Sequence, residues 1–297
     1  MLAFSSGGRT LARRAMTTLL AEIDVIASDA GAAGSAVSFY DYGSHTAWSC
    51  RGDRWFHAAS TIKVAVLVGL FAAVEEGRFA LADRLHVRNR FLGAHDGRAY
   101  AIPTSRDADG EVQAAVGKLM RIGVLAEHMI ATSSNLATNL LLDLVGVEAA
   151  REALRTLGVA AGVELVRGVE DEAAHAAGLD NRVTADGLVA VFRLIEERRA
   201  FSAEASGAML EILRKQAFRS GIPAGVPEGV RSNAGFAHKT GEMSTVTHDA
   251  GIVYLPERPP YVVSILTEWA PGGTNHRRET VARLSRAVYE HVAGLAP

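Results

Sequence analysis

The apolar positions along the chain fall into three regimes. Between Met16 and Ala30, Leu19, Leu20, Ile23, Val25 and Ile26 approximate one helical face, and Gly31 and Gly34 mark its end, so this segment is expected to be a helix. Ser35 to Tyr42 and Thr46 to Cys50 are rich in β-branched and aromatic residues and are separated by Gly43-Ser44, the pattern of a β-hairpin. From Ser60 the string Thr61-Ile62-Lys63-Val64-Ala65-Val66-Leu67-Val68-Gly69-Leu70-Phe71 is apolar on nearly every side. It is too long for a typical strand and reads as a buried helix starting at Ser60.

Helical periodicity continues over 116–130, 135–144, 147–157, 185–197 and 203–214, with a Gly- and Asp-rich loop from Gly93 to Gly110. After Gly221-Ile222-Pro223 the pattern changes. Gly235 to Gly241, Ala250 to Leu255 and Tyr261 to Thr267 read as three strands, and a helix is expected over 278–292. The order of elements predicts an α/β (α+β) architecture: a discontinuous sheet domain built from residues 16–58 and 216–297, with an all-helical domain, residues 59–215, inserted between its halves. Residues 1–15 are expected to be irregular.

Composition narrows the function. The chain of 297 residues has a formal net charge of −2, with no basic excess to attract nucleic acid or an anionic membrane surface. The longest apolar run, Val64 to Val74, is about half of a membrane span. Arg9, Arg13 and Arg14 near the N-terminus are followed by Glu22 and Asp24 before a long apolar stretch develops, so no secretory signal is read, and a cytoplasmic location is expected unless a leader precedes Met1. The single cysteine, Cys50, has no partner for an intramolecular disulfide and is expected to be a half-buried strand residue. The histidines show no metal-ligand spacing, and neither a metal nor a cofactor is expected.

The chain carries four lysines against 27 arginines. Arginine stays charged, whereas a buried lysine can lose its proton and act as a base near neutral pH. Lys63 follows Ser60 by three residues, a spacing that places both side chains on one face of a helical turn. A serine hydroxyl activated by a neighbouring amine at a helix start, where backbone N–H groups can receive an oxyanion, is the chemistry of a nucleophilic hydrolase. The pair alone is equally compatible with Ser60 as a helix cap and Lys63 extending to solvent. Thr132-Ser133-Ser134-Asn135 precedes a second apolar helix, and Lys239-Thr240-Gly241 lies in an expected strand. Each taken alone is weak.

Taken in order, Ser-x-x-Lys at Ser60 and Lys63, Ser-x-Asn at Ser133 and Asn135, and Lys-Thr-Gly at 239–241 resemble the signature of the class A β-lactamases and penicillin-binding proteins. The resemblance extends from about Ala21 to Val292. It implies an antiparallel sheet flanked by the terminal helices and a serine hydrolase working through an acyl-enzyme on Ser60. Lys63 would accept or relay the proton, and Ser133 would pass it to the leaving nitrogen. Asn135 would contact the acyl side-chain amide, Lys239 and Thr240 would hold a substrate carboxylate beside Gly241, and the N–H groups of Ser60 and Glu242 would form the oxyanion hole.

Glu170, 37 positions after Ser133, falls where the family places its deacylating glutamate, with Glu172 as the nearest rival and a solvated acidic loop as the structural alternative. The sequence also departs from the family. Ala174 replaces the amide that helps to fix the hydrolytic water, and Ser134 replaces the middle aspartate of Ser-Asp-Asn, with an expected loss of stability. No arginine follows Lys-Thr-Gly within 242–249, and residues 87–117 form a longer stretch than usual. A β-lactam is the expected small-molecule substrate. The alternatives are a cytosolic esterase or peptidase of the same fold and a catalytically silent protein that binds a small carboxylate.

Overall fold

The computed structural model describes residues 6–272 and 276–294, and the side chains of 17–272 and 276–294. Five strands form one antiparallel sheet: β1 (Gly34–Asp41), β2 (Thr46–Cys50), β3 (Gly235–Met243), β4 (Val246–Tyr254) and β5 (Tyr261–Glu268), in the spatial order β3-β4-β5-β1-β2. The two ends of the chain meet where β1 pairs with β5, from Gly34 opposite Glu268 to Asp41 opposite Tyr261. The hairpin of β1 and β2 keeps Phe39 opposite Trp48, and these rings stack with centroids 5.7 Å apart.

Side chains alternate across a strand, and here both faces are covered. Val37, Phe39, Val253, Val263 and Ile265 pack with helices α1 (Ser6–Asp29) and, at the C-terminus, Arg277–Gly294, through Leu19, Ile23, Leu284 and Val288. Ala36, Ala250, Ile252, Val262 and Leu266 face the opposite way, into a core shared with the inserted helices. Burial on both faces is the reason the strand sequences are nearly continuous in apolar residues.

The inserted region centres on α2 (Lys63–Glu75), buried from Lys63 to Ala73, around which pack α3 (Ile122–Ala131), α4 (Asn135–Val145), α5 (Val147–Thr156) and α7 (Ala203–Arg214), while α6 (Ala185–Glu196) lies against the sheet and α7. The helix Arg277–Gly294 is α8. Side-chain caps begin several of these helices: Ser134 accepts from the Ala137 N–H, Thr184 from Gly187 and Ser202 from Ala205.

The structure departs from the expected elements in several places. The helix expected from Ser60 begins as a 3-10 turn, Ala59–Ile62, and is α-helical only from Lys63; the Ser60 side chain caps neither element, which removes the capping alternative for that residue. The expected helix over 116–130 starts at Ile122, because Leu119–Arg121 pairs with Arg84–His86 as a short ribbon. Further short strands, Phe56–His57, Val163–Glu164 and Arg182–Val183, form a three-stranded sheet beside the main one, so the middle of the chain is not wholly helical. The N-terminal helix extends back to Ser6, ahead of the expected start, and residues 1–5 of the segment expected to be irregular lie outside the described residues. Cys50 is buried rather than half-buried. Among the described residues no helix is long and apolar enough to cross a membrane.

Helices α2 and α5 touch at Gly69, where an added Cβ would lie 2.6 Å from Ala150 Cβ and 2.9 Å from its Cα. Gly69→Ala gains about 1 kcal/mol in helix propensity, but overpacking a rigid helix contact costs ~1–3 kcal/mol. A net loss of up to about 2 kcal/mol in urea unfolding is expected; a raised midpoint would show that the two helices separate freely.

Candidate active site

Ser60 lies on a tight turn wedged between the sheet and the inserted helices. Ala59 before it adopts φ 45°, in the left-handed region disfavoured for residues with a Cβ. Local bonds hold the turn: the Ala59 N–H donates to His57 Nδ1 at 2.9 Å, Thr61 Oγ1 to the Ala58 carbonyl at 2.5 Å, and the Ala58 N–H to Asn181 O at 2.8 Å. Strand β3 runs against it at Gly241, where a Cβ would come within 3.0 Å of Thr61 Cγ2 and 3.1 Å of the Ala58 carbonyl. A side chain there would crowd the Thr61 methyl and the Ala58–Thr61 backbone, which would have to give by a few tenths of an ångström.

Lys63, one turn further on, is fully buried and donates to three oxygens: the Ser133 carbonyl at 2.6 Å, Ser133 Oγ at 3.1 Å and Asn135 Oδ1 at 2.7 Å. Lys239 reaches the same hydroxyl from β3, with Nζ 3.1 Å from Ser133 Oγ and 3.0 Å from the Thr240 carbonyl. Two ammonium groups thus converge on one serine oxygen, and Ser133 is held at φ 61° to present it. Burial, and then the neighbouring Lys239 charge, push the Lys63 pKa well below its ordinary value, against the opposing pull of Asp107 and Glu170. Burial likewise lowers Lys239 to about 7, with Asp249 opposing. Lys239 is therefore able to exchange a proton near neutrality, and burial favours the neutral amine at Lys63 as well.

Glu170 also adopts a left-handed conformation, φ 58°, on a loop fixed by Asn139, whose amide accepts from the Val169 N–H and donates to the Val169 carbonyl. The Glu170 carboxylate points into the cleft with both oxygens engaged: Oε1 accepts from Asn135 Nδ2 at 3.1 Å and Oε2 from Arg106 Nε at 2.8 Å. Its rival Glu172 is exposed at the start of a short helix, Glu172–Ala176. Ala174 is the buried residue of that helix, and its side chain offers no polar atom to the cleft.

Two connected cavities result. One, of 220 Å³, is lined by Ser60, Ser133, Asn135, Thr240, Gly241 and Glu242, and the other, of 140 Å³, by Ser60, Asn135, Glu170, Glu172 and His57. Ser60, Arg106, Asn135 and Glu242 border both. All nine residues singled out in the sequence therefore meet at one cleft or directly beneath it.

Two arginines in the cleft were not foreseen. Arg106 comes from the long loop before α3. Arg278 enters from the first turn of α8 and pairs with Glu242, Nε to Oε2 2.8 Å, so a cation borders the Lys-Thr-Gly end of the cleft although none follows that motif in sequence. Neither has a motif of its own, and only tertiary proximity identifies them.

Beside the second cavity His57, His175 and Asp180 approach within ligand distance of one another. Their hydrogen bonding suits a polar network better than a cation. His57 Nδ1 accepts from Ala59, which leaves the proton on Nε2, 3.1 Å from Asp180, and the Arg167 guanidinium already lies 3.0 Å from the same carboxylate. Burial alone would raise the Asp180 pKa, but His57 and Arg167 outweigh it and hold the group at about 2.

A serine bridging two buried lysines, beside a serine on a strained turn, defines a serine hydrolase site on a mixed helix and sheet fold. The chain matches the β-lactamase enzyme family over residues 18–292 and belongs to it. Among solved structures it is similar to a mutant of PBP-A described as an acyl-enzyme complex with penicillin G, at 27% identity over 94% of this chain and 97% of that one, TM-score 0.76. It is similar also to a β-lactamase from Sphaerobacter thermophilus, at 26% identity over 94% and 98% of the two chains, TM-score 0.75. A class A β-lactamase from Mycobacterium abscessus shares the fold at 21% identity over 93% and 100%, TM-score 0.78. No curated protein matches the chain. The protein is accordingly a serine hydrolase of the β-lactamase type.

The lowered lysine pKa makes stability depend on pH. Between about 7 and 10.5 the unfolded chain binds a proton at residue 239 that the folded protein has released, so wild type gains stability as pH rises through that window. Against Lys239→Met, urea unfolding is expected to show wild type gaining on the order of 1 kcal/mol per pH unit between pH 7 and 10. A difference that does not vary with pH would contradict the depressed pKa.

Proposed function

We propose that the protein hydrolyses or is acylated by β-lactams through an ester on Ser60. The observation that carries this reading is the Ser133 hydroxyl shared by Lys63 and Lys239 at 3.1 Å each, at the mouth of the cavity that Ser60 lines.

In this reading neutral Lys63 takes the Ser60 proton as Oγ attacks the lactam carbonyl, and the N–H groups of Ser60 and Glu242 receive the oxyanion. The proton passes through Ser133 Oγ to the departing nitrogen. Lys239, Thr240 and the cation of Arg278 give the substrate carboxylate a positive border, and Asn135 receives the acyl amide. A strained cyclic amide bearing a carboxylate suits this distribution of groups.

Hydrolysis of the ester needs a base for water, and Glu170 is the carboxylate bordering Ser60. Two features of the site argue that this step is slow. Arg106 and Asn135 occupy both Glu170 oxygens, and Ala174 supplies no amide to orient water. The same features favour a second reading, in which a natural ester or peptide substrate turns over and β-lactams leave a long-lived adduct.

Intact-mass measurement after mixing with a penicillin and a cephalosporin, alongside substrate absorbance, tests both. An adduct of one substrate mass that is absent from Ser60→Ala is expected, and hydrolysis by Ser60→Ala at the wild-type rate would end the proposal. Turnover of p-nitrophenyl esters with a persistent β-lactam adduct selects the second reading. Arg106→Ala frees one Glu170 oxygen and is expected to shorten the adduct lifetime by roughly tenfold, the worth of one charge-assisted hydrogen bond. A lifetime that is unchanged or longer would show that Arg106 does not restrain the base.

A further inference from the structure

The turn Thr132-Ser133-Ser134-Asn135 has to hold Ser133 at φ 61° while delivering its hydroxyl to two lysines. A left-handed conformation is disfavoured for a residue with a Cβ, so neighbouring contacts must fix it. Where the family's motif carries an aspartate this chain has Ser134, whose hydroxyl is spent capping Ala137.

The long loop before α3 provides two carboxylates, one on each side of the turn. Asp109 is buried and accepts from Thr132 Oγ1 and, at 2.5 Å, makes contact with His128 Nδ1 on the upstream side. Asp107 takes the downstream side. Its Oδ1 accepts from the Asn135 N–H at 3.1 Å, and its Oδ2 from the Leu136 N–H at 2.9 Å and Ser134 Oγ at 3.2 Å. The Asp109 N–H at 3.1 Å and Gln113 Nε2 at 3.1 Å complete its partners, so five neutral donors surround one carboxylate at the N-terminus of α4. The residue before it, Arg106, turns its carbonyl to Asn135 Nδ2 at 2.6 Å.

We infer that Asp107 is a positioning residue for the active site: from the loop spanning 87–117 it supplies the carboxylate that Ser134 lacks, and so fixes Ser133 and Asn135 against Lys63. The inference rests on the serine hydrolase reading of that cleft. It also changes the expectation attached to Ser134, since the acceptor missing from the motif is restored from another segment. The charge has an electrostatic consequence as well. Lys63 faces Lys239 from β3, Glu170 from its loop and Asp107 from across the turn, and Asp107 is one of the two anions that support its protonated form.

Four full-length proteins test this: wild type, Asp107→Asn, Asp107→Ser, and Asp107→Ser combined with Ser134→Asp. The measurements are amide hydrogen exchange over 134–137, and the second-order rate of Ser60 labelling by benzylpenicillin and by a fluorophosphonate against pH, all below the melting temperature of each protein. Asp107→Ser is expected to lose protection at Asn135 and Leu136 and to label roughly tenfold more slowly, as for loss of a charged hydrogen-bond acceptor. Moving the carboxylate to position 134 is expected to return most of the rate. In Asp107→Asn the acid limb of the labelling profile moves to lower pH, because Lys63 loses a favourable neighbour, a displacement that a purely structural role would not produce.

Wild-type labelling in Asp107→Ser, or a loss that the double variant does not recover, overturns the inference. If neither probe labels wild type, the hydrolase reading fails, and exchange still decides the role of Asp107: retained protection in Asp107→Ser refutes it.

Discussion

A buried ammonium is the constraint around which this site is organised. Lys63 is enclosed at the start of the central helix, where an unpaired charge would be prohibitively costly, and it has three oxygen acceptors there. All three come from Ser133 and Asn135, so the start of α2 and the start of α4 are bound through one side chain. Burial that depresses its pKa also prepares it to accept a proton. The structural cost and the chemical use of the lysine therefore share one cause.

The acceptors must in turn be held in place, and this explains the elaboration of the loops. Asp107 and Asp109 grip the two sides of the turn that bears Ser133. Asp171 accepts from the Ala94 N–H at 2.7 Å, joining the Gly93 region to the Glu170 loop, and Asn139 ties that loop back to α4. Arg106 then spans the cleft to Glu170. The segment from 87 to 117, a longer stretch than usual in sequence, contributes hydrogen bonds to Asn135, Leu136 and Glu170. In this framework both oxygens of Glu170 are engaged, by Asn135 and by Arg106.

Much of the fold is legible in the sequence because its signals are local. The strands around Val37, Ile252 and Val263 and the helices over 185–197 and 203–214 follow from their apolar patterns, and the apolar run after Ser60 is too long for a typical strand. Elements set by pairing across the chain are less legible. Leu119–Arg121 has the composition to continue a helix, but it pairs with Arg84–His86, and the 3-10 start at Ala59 follows from the packing of β3 against that turn.

The same division holds for the site. The three motifs, with Ser60, Lys63, Ser133, Asn135 and Lys239, could be located from sequence because each sets particular residue types at a short fixed spacing along the chain. Arg106, Asp107 and Arg278 could not, since a carboxylate or guanidinium acts through space and any segment that reaches the cleft can provide it. By itself the sequence determined the family, the architecture and the motifs that meet at the cleft. Only the tertiary structure decided which distant charges surround them, because hydrogen bonds and Coulomb interactions depend on separation in space and leave no fixed spacing along the chain.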